Sequence, residues 1–72
     1  MKGEIGKRAA EAIRQTAYNN DSDYEDELKR LNISRQMLYG WERNNFVPTG
    51  KTLQILALAG YDVHYILTGV RK

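Results

Sequence analysis

The chain has 72 residues, no cysteine and a formal net charge of +2 at pH 7. That length gives one domain, residues 1–72, whose single modest core is shared among short elements, and it leaves no room for a large active-site cleft. Without cysteine, neither disulfides nor thiolate metal sites can supplement packing, and no apolar run approaches the ~20 residues that span a bilayer, so a cytoplasmic protein is expected.

The opening "MKGEIGKRAAEAI" is too polar for a secretory signal. Ile5, Ala9, Ala12, Ile13 and Ala17 recur at helical spacing, and alanine is the strongest helix former, so a first helix is predicted over 4–18. It ends near "NNDS". The segment "DSDYEDE", residues 21–27, carries five acidic side chains and no basic one, and it masks a basic remainder of the chain. Ser22 or Asp23 can cap a second helix there, and Glu25, Asp26 and Glu27 suit the positive end of its dipole. Tyr24, Leu28 and Leu31 form its apolar stripe. Asn32, which tolerates a left-handed backbone, stops it, and Ile33 plugs the corner.

Ser34 is a strong N-cap for a third helix running to Arg43 or Asn44. Leu38 and Trp41, three apart, mark its inward face, while Arg35, Gln36, Tyr39 and Arg43 point elsewhere. Pro48 prevents continuation, and Thr49 caps a fourth helix in which Leu53, Ile55, Leu56, Ala57, Leu58 and Ala59 make the most apolar stretch of the chain. That helix is expected at the centre. Gly60 ends it, Asp62 caps a short fifth helix with Val63, Ile66 and Leu67, and Gly69 closes that one. No strand pattern or repeat is present, so the fold class is all-α with five helices.

The stretch "LNISRQMLYGWERNNFVP" resembles the helix-turn-helix core of the Cro and phage-repressor family, which includes the xenobiotic-response-element-like regulators. That core is usually written Leu-Gly-apolar-Ser, a recognition helix, then Trp-Glu-Arg-Gly and a proline soon after. "GYDVHYILTG" is similar to the family's closing helix. The two motifs span about residues 23 to 69. The resemblance implies a lambda-repressor-like DNA-binding domain, usually of a transcriptional repressor that binds a palindromic operator as a homodimer. A phage or prophage regulator working on bacterial double-stranded DNA is the implied setting.

In this motif the N-terminal residues of the recognition helix reach base edges in the major groove. Here they are Ser34, Arg35, Gln36, Met37 and Tyr39. Arginine can donate two bonds to guanine O6 and N7, and glutamine can pair with adenine N6 and N7; Tyr39 could meet a phosphate or a thymine methyl. An ordinary solvated helix face is the alternative for Arg35 and Gln36. The resemblance puts phosphate contacts at Tyr24, Arg43, Asn44, Asn45, Lys51 and Thr52. It makes Leu28, Leu31, Ile33, Leu38 and Trp41 the structural core of the motif, with Glu42 paired to Arg14 or Arg8. Gly40, in mid-helix, costs about 1 kcal/mol relative to alanine, for which a close approach to DNA or helix packing is the candidate reason.

The pattern is broken at three places. Glu27 and Leu28 stand where the family has a leucine and a small alanine, Asn32 replaces the turn glycine, and Tyr24 replaces a phosphate-touching glutamine. The acidic segment 21–27 supports a second reading, a helix-turn-helix scaffold that binds a protein partner. Tyr61, Tyr65 and Val70 fit either the core edge or a dimer contact. His64 has no second histidine or cysteine beside it, so no metal is expected. There is no nucleophile paired with a base and no glycine-rich phosphate loop, so neither enzyme activity nor a cofactor or small-molecule substrate is expected.

Overall fold

Five helices follow one another in the computed structural model, which describes residues 4–43 and 45–71. They are α1 (Glu4–Asn19), α2 (Tyr24–Leu31), α3 (Arg35–Glu42), α4 (Gly50–Leu58) and α5 (Val63–Thr68), and the described residues contain no strand. The protein is all-α. No helix among the described residues is long and apolar enough to cross a membrane.

Local chemistry sets the boundaries. The side chains of Ser34, Thr49 and Asp62 each accept a bond from a backbone N–H of the first turn, at Met37, Thr52 and Tyr65 respectively, relieving donors that a helix start leaves unpaired. Asp23 holds the N-cap position of α2 but makes no such side-chain bond. Asn32 is left-handed at φ 58, and the Ile33 N–H returns to the Leu28 carbonyl at 2.9 Å. The connection from α2 to α3 is therefore a three-residue turn, Asn32 to Ser34. Gly60 and Gly69 have φ of 96 and 78, the backbone that favours glycine after a helix.

The centre of the bundle differs from the expectation. α1 is packed by α2, α3 and α5, whereas α4 leans on the side of the bundle near α5. Ala9, Ala10 and Ile13 of α1 form one core cluster with Leu28, Leu31, Ile33, Leu38, Trp41, Leu56 and Ile66, and Ala17 is buried further along α1. α4 fully buries only Thr52 and Leu56; Leu53, Ile55 and Ala59 are half-buried, and Leu58 is 82% exposed. A helix lying on the outside needs one apolar stripe, and α4 has more apolar side chains than one stripe can use.

Close approach explains α1's position. A Cβ on Gly6 would lie 2.8 Å from the Trp41 carbonyl oxygen, so only glycine lets α1 meet the end of α3 there. Trp41 is fully buried, and its Nε1 has no acceptor among the described residues. Arg8 ties the chain's two ends together: its Nε donates to the Ile66 carbonyl at 2.9 Å and its Nη2 to Leu67 at 3.3 Å.

Candidate functional site

The face formed by the starts of α2 and α3 brings together most of the residues singled out by sequence. Leu38 and Trp41, both fully buried, hold α3 from behind. Ser34, Arg35 and Gln36 are exposed at its N-terminal end. Ser34 keeps its hydroxyl hydrogen for another acceptor, because its Oγ serves the cap as acceptor at 3.1 Å from Met37 N. Met37 departs from the expectation. It is half-buried and packed against the core, so most of its side chain serves packing rather than an outside partner.

Two tyrosines join the helices. The hydroxyls of Tyr24 and Tyr39 are 3.1 Å apart, the Arg14 guanidinium sits 4.5 Å from the Tyr24 ring centre, and Arg43 sits 5.9 Å from that of Tyr39. A cation within about 6 Å of a ring face is attracted by its quadrupole. The bond to Tyr39, with burial second, pushes the Tyr24 phenol above its ordinary pKa of 10.0. Tyr24, expected both in α2's apolar stripe and as a phosphate contact, is half-buried and its hydroxyl is tied to that of Tyr39 on α3.

The acidic segment divides. Glu25 Oε2 lies 2.6 Å from Arg35 Nη2. Glu27, 5% exposed, is gripped by Arg30 at 2.6 and 3.1 Å and accepts from the Tyr61 hydroxyl at 2.5 Å. The Arg30 bond outweighs desolvation and holds the Glu27 carboxyl below its ordinary range. Burial first, then the bond to Glu27, pushes the Tyr61 phenol up to about 12. Asp21, Asp23 and Asp26 remain exposed. The sequence reads Glu27 as a favourable helix-start charge at a place where the family has a leucine; Arg30, three residues on, is a local partner, whereas Tyr61 lies 34 residues away and no local signal reveals it.

The remaining positions separate clearly. Glu42 pairs with Arg14, at 2.5 and 3.1 Å, and not with Arg8, which is engaged at the end of α5. Arg43, Asn45 and Lys51 are exposed, and Lys51 stands in the first turn of α4. Thr52 does not fit the expected phosphate contact: it is 6% exposed, and its hydroxyl and backbone N–H both meet Thr49 Oγ1, at 3.3 and 3.4 Å. Asn44 lies outside the described residues. A Cβ on Gly40 would meet the Phe46 ring at 2.2 Å, so packing of that ring accounts for the glycine. Tyr61 belongs to the core edge, Tyr65 is half-buried under Arg71 at 4.0 Å, and Val70 is exposed.

Compared with known proteins, the chain matches no family model, no curated protein and no solved structure. The class that can be stated is a small all-α bundle in which two short helices are joined by a tight turn.

Proposed function

We propose that the chain is a sequence-specific DNA-binding transcriptional regulator of the lambda-repressor-like helix-turn-helix kind, with α3 as its recognition helix in the major groove. One observation carries this reading. α3 is anchored from behind by buried Leu38 and Trp41, and its first turn offers Arg35 and Gln36 to an outside partner. Such a helix fits a groove about 12 Å wide, and these two side chains carry the donors and acceptors that distinguish guanine and adenine there. Arg43, Asn45 and Lys51, exposed beyond the helix, supply phosphate contacts. Tyr39 contributes at its border.

The regulator acts as a homodimer on a palindromic operator and represses by occluding a promoter, in a bacterial or prophage setting. Exposed Leu58, Leu67 and Val70 are the apolar side chains that a second copy would cover. Selection of the chain on random duplex DNA is the direct test. Recovery of a palindrome with half-sites about ten base pairs apart is the expected result. No enrichment even at low salt overturns the reading in favour of a protein-binding scaffold, whose contact surface would be exposed Asp21, Asp23 and Asp26. In that case charge reversal at Asp23 and Asp26 abolishes the complex with a basic partner.

A further inference from the structure

Glu25 and Arg35 belong to different helices, yet their side chains meet at 2.6 Å with 46% and 56% of each still exposed. Arg35 opens α3, and that helix has no acidic residue in its own first turn. A cation at a helix start faces the positive end of the dipole. The carboxylate that offsets this comes instead from the first turn of α2.

On the DNA-binding reading, on which this inference rests, we propose that Glu25 is a positioning and specificity-determining residue that keeps Arg35 as a base reader and withholds it from phosphates. A guanidinium carries five N–H donors and no acceptor. The contact engages Nη2 with one carboxylate oxygen and so commits one of its two hydrogens. If that hydrogen is on the Nε side, the Nη1/Nη2 end remains a complete pair of donors. If it is the other, the Nε/Nη2 edge remains. Either way a two-donor fork is left for guanine O6 and N7.

A phosphate responds differently. It attracts arginine chiefly as a cation, and the neighbouring carboxylate both offsets that charge and repels the phosphate oxygens. A guanine edge rewards donor geometry, which the pair leaves intact and holds in place. Glu25 therefore weakens binding to arbitrary sequence more than binding to the correct base.

The probes are a duplex recovered by selection from random DNA and a random-sequence duplex of the same length. Glu25→Gln should raise affinity for the random duplex and lower the ratio of selected to random affinity by about two- to fivefold, the range open to an exposed ion pair. The slope of log affinity against log salt on random DNA should steepen by about 0.9 as Arg35 takes a phosphate. Asp26→Asn removes the same charge from the next residue and should shift both affinities alike. In an Arg35→Ala background, Glu25→Gln should leave the ratio where it was.

An unchanged ratio in Glu25→Gln overturns the proposal. So does an equal change in Asp26→Asn, or an effect that survives Arg35→Ala, because each assigns the result to net charge. If selection recovers no sequence, the DNA-binding reading itself falls and takes the role of Glu25 with it.

Discussion

α1 and α4 reverse the places that their apolar content suggests. α4 is built from "GKTLQILAL" yet leaves Leu58 82% exposed, while α1, with alanines at most of its buried positions, touches three other helices. In so small a bundle the centre goes to the helix that others can approach closely. Ala9, Ala10 and Gly6 give α1 that thinness, and the bulk of the core comes from its neighbours, above all Trp41, Leu38, Leu56 and Ile66.

The contrast can be broken experimentally. Trp41→Ala removes the largest fully buried side chain and should cost about 3 to 5 kcal/mol of folding stability in denaturant titration; a loss below about 1 kcal/mol would contradict its place in the core. Gly6→Ala forces a methyl against the Trp41 carbonyl and should cost about 1 to 3 kcal/mol. Gly50→Ala, with nothing within 4 Å of the new carbon, should be neutral or stabilising by up to about 1 kcal/mol. Equal effects at the two glycines would remove close approach as the reason for α1's position.

Tyr61→Phe takes a donor from buried Glu27 and should cost about 1 to 2 kcal/mol near neutral pH. Its pH signature has a definite sign. The Tyr61 phenol is raised on folding from 10.0 to about 12, so its contribution is complete below pH 10 and lost as pH rises from there to about 12. Glu27 is lowered from 4.5, so its contribution is present above that pH and lost as pH falls through the folded value. Chemical melts across pH 9 to 12 should show a shallower alkaline decline in Tyr61→Phe than in the wild type. The smallest effect is expected on the other side of the comparison: Leu58→Ser should change the stability of the monomer by no more than about 0.5 kcal/mol, and a dimer held through α4 would reveal itself as a concentration-dependent loss.

Helix limits were legible because they are local. Ser34, Thr49, Asp62 and Gly69 cap from within a few residues of where they act, and Asn32 turns left by its own preference. The inward placing of Leu38 and Trp41 followed from their spacing. What depended on how the elements pack was hidden: the burial of Glu27 needs Tyr61 as well as its neighbour Arg30, that of Gly40 needs the Phe46 ring folded back over α3, and that of Thr52 follows from how α4 rests on the bundle. Apolar content could not rank α1 above α4, since it counts how much a helix could bury rather than how near its neighbours can come. At the candidate site, the exposure of Arg35 and Gln36 followed from helical spacing, whereas the Glu25 partner of Arg35 depended on how two helices are set side by side.

The Tyr24–Tyr39 hydroxyl pair has a consequence in simple proton arithmetic. Two phenols bring two hydrogens to the junction, and the single bond between them uses one. Whichever oxygen donates, the other keeps its hydrogen for an acceptor outside. Turning both hydroxyls exchanges these roles without moving a ring or a helix. The seam between α2 and α3 can thus always lend one hydrogen outward, from either side, while remaining fastened.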